Sequence, residues 1–366
     1  MKIFVILILF SIVSCSHRNP TIKVDKKTQA IEIIEQLMLD TNASGVSVSI
    51  GLKNKIIWSE GFGYSDLEQR VIVTPSKSLF RIGSISKPIT SIAIGLLYER
   101  GLLDINKPVQ HYVPSFPIKK KGEITTRLLA SHMAGVRHYN KREELLNVKK
   151  YSSVLDGLTI FQEDELLYEP GSRYYYSSYG WNLISAVIES ASGHNFLDYM
   201  TRNVFTPLKL DQVIADQTEK LIPNRGRYYE IVDNEIANAP FVDNSYKWAS
   251  GGYLSTSEEL VRFGMSFLSQ PILKKETVDL LWQSQQSASG YRTGYGFGWK
   301  SGTINGRSWV GHDGNSIGGT AYFRIYPKEE LVIVFLSNTS GLQMGVAPQK
   351  IAEIFMDCVS GEELTR

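Results

Sequence analysis

The chain has 366 residues, 43% of them hydrophobic and 21% charged, an ordinary globular composition with room for a large core. Basic and acidic residues number 39 and 37, a formal net charge of +2, so nothing favours nucleic acid or an acidic partner. The two cysteines, Cys15 and Cys358, cannot build a metal site by spacing, and no cofactor is called for.

Lys2 precedes an almost wholly apolar run, Ile3 to Val13, which is too short to span a bilayer. The run ends at Ile12-Val13-Ser14-Cys15, which resembles a bacterial lipobox. The resemblance implies a signal peptide over 1–14, acylation of Cys15 and a polar tether over 15–27. The mature protein is then exported and lipid-anchored to a bacterial membrane, facing the periplasm or the cell exterior. Several acyl chains on one residue anchor stably, at ~0.8 kcal/mol per buried methylene. Cys358 then remains as a single thiol and reads as a small core residue.

Residues 28–40 have helical apolar spacing, and 45–66 alternate like a hairpin turning at Lys53-Asn54-Lys55. From Ser86 to Arg100, Ile89, Ile92, Ala93, Leu96 and Leu97 recur at i, i+3, i+4, i+7 and i+8, one face of a helix stopped by Gly101. Pro88 falls in its first turn, where it is tolerated. Lys119-Lys120-Lys121 reads as a solvated loop. The middle, about 105 to 240, predicts helices and loops, with "TTRLLASHMAGV" and "WNLISAVIESASG" its clearest helices. Residues 250–264 predict a turn and a helix capped by Ser257, with Glu258 and Glu259 in its first turn. Strands return in "YGFGWKSG", "RSWVGHDG", "GGTAYFRIYP" and "LVIVFLSNT", and 345–359 predict a closing helix. The pattern predicts an α+β domain over 28–360. Its antiparallel sheet lobe comes from both ends, 28–83 and 285–360, flanked by helices, with a helical lobe inserted at about 84–284.

Two serines compete as nucleophile. Gly314-Asn315-Ser316-Ile317-Gly318 matches G-x-S-x-G, but that motif needs a helix after it. Here the following residues read as a strand, so the match predicts a hairpin turn. Ser84-Ile85-Ser86-Lys87 is the only S-x-x-K in the chain. Helical spacing puts Ser84 and Lys87 on one face, at a helix N-terminus that favours developing negative charge. A lysine serves as base only when burial or nearby cations lower its pKa. Downstream stand Tyr176-Ser177-Ser178 before a helix and His312-Asp313-Gly314 on a strand.

With S-x-x-K, Y-x-S and H-x-G in this order, the chain resembles the serine β-lactamase and penicillin-binding superfamily, in its class C-like branch. The likeness runs from about residue 30 to about 358, through "LFRIGSISKPIT", "TTRLLASHMAGVRHY", "EPGSRYYYSSYGWNLISAVIE" and "WASGGYLSTSEELVRF". It implies an α/β-α β-lactamase-like fold with Ser84 as the acylated nucleophile. Lys87 takes its proton, directly or through Tyr176, which protonates the leaving group and helps activate the deacylating water. The backbone N–H groups of Ser84 and Asn315 form the oxyanion hole. Ser178, His312, Asp313 and Gly314 contact substrate, Gly314 leaving room for it along the strand.

Three departures shape the expectation. Ser178 stands where the family has Asn, and His312 and Asp313 stand where it has Lys and Thr or Ser. The Lys-Thr pair helps recognise the β-lactam carboxylate; His312 does so only as an imidazolium, near pH 6. The leading expectation is a membrane-tethered serine hydrolase, a peptidase or esterase acting on a peptide-like or ester substrate. One alternative is a β-lactamase or DD-carboxypeptidase, against which Ser178 and His312 argue. Another is an inactive scaffold or binding protein, against which the joint retention of Ser84, Lys87 and Tyr176 argues. Self-association stays open, since no assembly surface is legible.

Overall fold

The computed structural model describes residues 25–269 and 272–356; Cys15 with its apolar run, and Cys358, lie outside them. Helix α1 spans Lys26–Thr41, so Lys26 and Lys27, assigned above to the tether, are helical.

One seven-stranded antiparallel sheet draws its strands from both ends of the described chain. Strands β1 (Gly45–Leu52), β2 (Lys55–Asp66) and β3 (Val71–Ile72) come from the first part. Strands β4 (Lys300–Ile304), β5 (Arg307–Ser316), β6 (Gly319–Tyr326) and β7 (Leu331–Ser337) come from the last. The order is β3-β2-β1-β7-β6-β5-β4. The join is β1 on β7, in register from Val46 opposite Ser337 to Leu52 opposite Leu331. Lys53 and Asn54 both have positive φ, 46° and 62°, the conformation that a tight hairpin between twisted strands demands.

The alternation in β1 sorts its side chains between two layers. Val46, Val48, Ile50 and Leu52 pack with Ala30 and Ile34 of α1 and with Ile351 and Phe355 of a closing helix, Ala347–Met356. Ser47 and Ser49 face the opposite way. Each places Oγ 2.7 Å from Ser257 Oγ, at the start of a helix over Ser257–Ser269 that lies on that face. Ser257 is therefore spent on the sheet, and the cap falls to Thr256, whose Oγ1 accepts the Glu259 N–H at 3.1 Å. Glu258 and Glu259 do occupy the first turn.

The helix carrying the S-x-x-K lysine, α2 (Ser86–Glu99), is buried on every side from Ser86 to Leu97, not on one face. A helix so enclosed is a core element, here packed against α3 (Ser178–Ser192), the short helix Trp248–Gly251 and the helix Lys275–Trp282, in the same apolar cluster as one face of the sheet. Gly101 follows it with φ +69°. Two expected elements are shorter than their patterns suggested. "TTRLLASHMAGV" holds one short helix, Thr126–Ala130, ended as His132 enters the left-handed region at φ +60°. "YGFGWKSG" becomes strand only at Lys300.

Candidate active site

Ser84 lies in a tight 3₁₀ turn, Gly83–Ile85, that runs straight into α2, so Lys87 sits one turn on, facing the same way. Lys87 Nζ is 2.9 Å from Ser84 Oγ, 3.3 Å from Ser178 Oγ and 2.7 Å from the Ser250 carbonyl oxygen. Lys87 is fully buried, and no carboxylate is among its partners. Burial, then the charges of Lys247 and Lys300, hold its pKa well below the ordinary 10.5. The neutral amine fits this setting. Its two N–H groups donate to Ser250 O and Ser178 Oγ, and its lone pair is left for the Ser84 proton.

Tyr176 comes from the segment just ahead of α3, and its hydroxyl donates to Ser84 Oγ at 2.7 Å. Burial pushes that phenol well above its usual range, so it is a proton donor at rest. Ser177 Oγ caps α3 by accepting the Gly180 N–H, and Ser178 N–H donates to His138 Nδ1 at 3.1 Å. Behind Tyr176 lies His132, its ring centroid 4.2 Å away and its Nδ1 accepting the Ser177 N–H. Burial and the nearby Lys87 charge bring His138 down to about 4, and drive His132 lower than its usual range too.

The opposite wall is β5. Gly83 and Gly314 let the nucleophile's turn and this strand touch backbone to backbone. A Cβ on Gly83, at φ +50°, would lie 2.7–2.9 Å from Asn315 backbone atoms, and one on Gly314 would lie 2.0 Å from Ile82 O. The space at Gly314 is thus filled by the chain's own carbonyl rather than kept for substrate, a correction to the expectation above. Asn315 is brought beside Ser84, and Ser84, Tyr176, Ser178, His312, Asp313 and Asn315 border one cleft of about 610 Å³.

His312 also needs correcting. It is 1% exposed, and burial, then the charges of Lys87 and Lys300, hold its pKa well below 6.5. Its Nδ1 lies 2.6 Å from Asp313 O, which can only accept, so Nδ1 carries the proton. Nε2 then accepts from the Tyr295 hydroxyl at 2.8 Å. With both nitrogens used in the neutral form, no imidazolium is offered to a substrate carboxylate near pH 6. Asp313 is bound on each oxygen at 2.6 Å, by Lys300 Nζ and Arg324 NH2. Ser316 ends β5, and Ile317-Gly318 turn the hairpin into β6, with Gly318 at φ +71°. The buried Ser316 Oγ has no hydrogen-bond partner among the described residues, hence no base there, so the G-x-S-x-G match is a hairpin as expected.

Sequence reading missed His132, His138, Lys247, Tyr295 and Lys300. The signal for the histidines was the stretch "SHMAGVRHY", quoted above without roles for them. Lys247, Tyr295 and Lys300 carried no local signal, because the cleft gathers them across the fold.

This sheet, with helices on both faces and a nucleophile's turn pressed against an inner strand, is the architecture of serine hydrolases of the β-lactamase-like kind. Residues 30–354 match the family model described as Beta-lactamase, and the chain belongs to that family. Among its relatives, the mitochondrial serine beta-lactamase-like protein LACTB of Bos taurus is 30% identical, the match covering 81% of this chain and 71% of that protein. The human LACTB is likewise 30% identical with the same coverage. Among solved structures, the octameric penicillin-binding protein homologue from Pyrococcus abyssi superposes with a TM-score of 0.79 at 24% identity, covering 91% of this chain and 76% of that one. The D-amino acid amidase of Ochrobactrum anthropi SV3 superposes with a TM-score of 0.75 at 19% identity, covering 92% and 98%.

Proposed function

We propose that the protein hydrolyses amides or esters through an acyl-enzyme on Ser84, as a peptidase or esterase acting on a peptide-like or ester substrate. One observation carries this: Ser84 Oγ sits between Lys87 Nζ at 2.9 Å and the Tyr176 hydroxyl at 2.7 Å, with the lysine buried and, among the described residues, without a carboxylate partner. Lys87 takes the Ser84 proton as Oγ attacks the carbonyl carbon. The oxyanion that forms is held by the backbone N–H groups of Ser84 and Asn315. Tyr176 gives its proton to the departing amine or alkoxide, and the proton held by Lys87 makes good the loss. Water then attacks the ester, losing its proton to the same pair, and Ser84 leaves as the hydroxyl. The amidase on the same fold supports an amide among the substrates. A neutral His312, where β-lactam-binding members carry a lysine, weighs against β-lactams as the natural substrate. By its lipobox resemblance, Cys15 tethers the enzyme to the membrane as a lipoprotein.

The test is intact-mass analysis of the fragment from Ser16 onward after a fluorophosphonate probe, beside Ser84→Ala. A single adduct that vanishes in the variant is expected. An adduct that survives the substitution overturns the assignment of Ser84.

A further inference from the structure

Three lysine or arginine side chains border the cleft: Arg142, Lys247 and Lys300. Two are already taken. Arg142 NH2 is 2.7 Å from Glu230 Oε2, and Lys300 Nζ is 2.6 Å from Asp313 Oδ2. Lys247 differs. It is 4% exposed, and among the described residues its Nζ makes no hydrogen bond or ion pair; its nearest recorded partner is the Tyr246 ring, 5.4 Å from Nζ to the centroid. The acid closest in influence, Asp216, makes no hydrogen bond or ion pair with Lys247: its Oδ2 is held by Arg81 at 2.7 Å and by Asn244 at 2.9 Å, and its Oδ1 faces Arg225 at 3.7 Å. The stem of Lys247 is buried, its side chain borders the cleft and its amine has no protein partner among the described residues, so the amine is available to a group that enters the cleft. Lys247 also sits at the entry to the short helix Trp248–Gly251, whose Ser250 carbonyl holds Lys87, so its charge acts on the reacting centre.

We propose that Lys247 is the residue by which the cleft selects its substrates, pairing with a carboxylate carried beside the scissile amide or ester. This rests on the acyl-enzyme reading above. It supplies the anion contact that His312, being neutral and engaged at both nitrogens, does not make. A single free ammonium suits a carboxylate, whereas a phosphate dianion calls for several converging donors, and the other cations of this cleft are spent. Burial and the Arg81 charge, opposed by Asp216, bring Lys247 to about 7, so an incoming anion draws it into the charged form.

The experiment compares 4-nitrophenyl hemisuccinate with 4-nitrophenyl butyrate, esters matched except for the carboxylate, on the wild type, Lys247→Met and Lys247→Arg. The readout is the ratio of the two kcat/KM values. Lys247 also depresses Lys87, and that influence slows or speeds both esters together and cancels in the ratio. The wild type should favour the anionic ester, Lys247→Met should lower the ratio roughly tenfold to a hundredfold, and Lys247→Arg should keep most of it. A wild type indifferent to the carboxylate, or a ratio untouched by Lys247→Met, overturns the proposal. Calorimetric titration with hippurate and its neutral amide needs no chemistry. If no ester is turned over and Ser84 takes no probe, the acyl-enzyme reading fails on its own. Hippurate binding that is lost in Lys247→Met would still uphold the anion site, and no binding to the wild type would overturn it.

Discussion

Gly314→Ala tests how closely the reacting geometry depends on backbone contact between β5 and the nucleophile's turn. The new methyl would start 2.0 Å from Ile82 O, where ordinary contact begins at 3.4 Å, so one side must retreat by about 1.4 Å. Ile82 is poorly placed to yield. Its N–H is bonded to Tyr253 O at 3.1 Å, and its carbonyl accepts the Ile85 N–H at 3.2 Å, closing the turn that holds Ser84. The strand therefore swings away, taking Asn315 with it. Overpacking of this kind costs about 1–3 kcal/mol of stability. A misplacement near 1 Å costs about 10²-fold in turnover, since oxyanion donors work only at close range. We expect kcat for a small neutral ester to fall by about that factor, KM to change much less, and the melting temperature to drop by several degrees. Gly251→Ala is the control for stability, because outside its own helix and chain neighbours its methyl would come no nearer than 3.6 Å to a heavy atom of the described residues. Wild-type kcat in folded Gly314→Ala would refute the reasoning, because it would show that the Asn315 backbone can move without consequence.

Two further outcomes follow from charges in the cleft. Lys87 is depressed well below 10.5, so the rate of fluorophosphonate labelling should rise with pH as Lys87 loses its proton and be flat before the ordinary lysine range is reached; a rate still climbing through that range would exclude Lys87 as base. Burial opposes the Asp313 charge, but Arg324 and Lys300 outweigh it and hold the carboxyl at about 2. Between that value and the unfolded one, about 3.9, the unfolded chain binds more protons. The stabilisation is therefore whole above about pH 4 and is lost as pH falls through about 2. Asp313→Asn should flatten that part of the acid melting curve, and an unchanged acid limb would show the ion triad to be idle.

The parts of the site written within one turn of chain were legible. Helical spacing put Ser84 and Lys87 on one face, and the motifs at Tyr176 and His312 farther along singled that pair out; the strand after Gly318 was enough to dismiss the second serine motif. The hairpin at Lys53-Asn54 followed from alternation broken by polar residues. What stayed hidden was decided by partners far along the chain. His312 is neutral because Tyr295 and the Asp313 carbonyl hold its nitrogens, and no spacing encodes that. Ser257 reads as a helix cap until the sheet takes its hydroxyl and leaves the cap to Thr256. Gly314 reads as space for a substrate until Ile82 is found in it. Lys247 carries no local mark at all, since an unpaired amine shows itself only once every neighbouring acid is matched to another base.

The pairing of β1 with β7 also governs when the molecule can come into being. A ribosome that has released everything up to β5 has made Ser84, Lys87 and Tyr176, yet the inner edge of β1 still lacks its partner, whose residues begin at Leu331. Until β7 emerges, Val46, Val48 and Ile50 have no complete layer to enter, and the nascent chain presents an apolar strand with an open edge. Long-range closure of this kind is slow. The growing polypeptide therefore carries that open edge until nearly all of it has been made, and a translation product cut short before β7 has the reactive residues without the completed sheet.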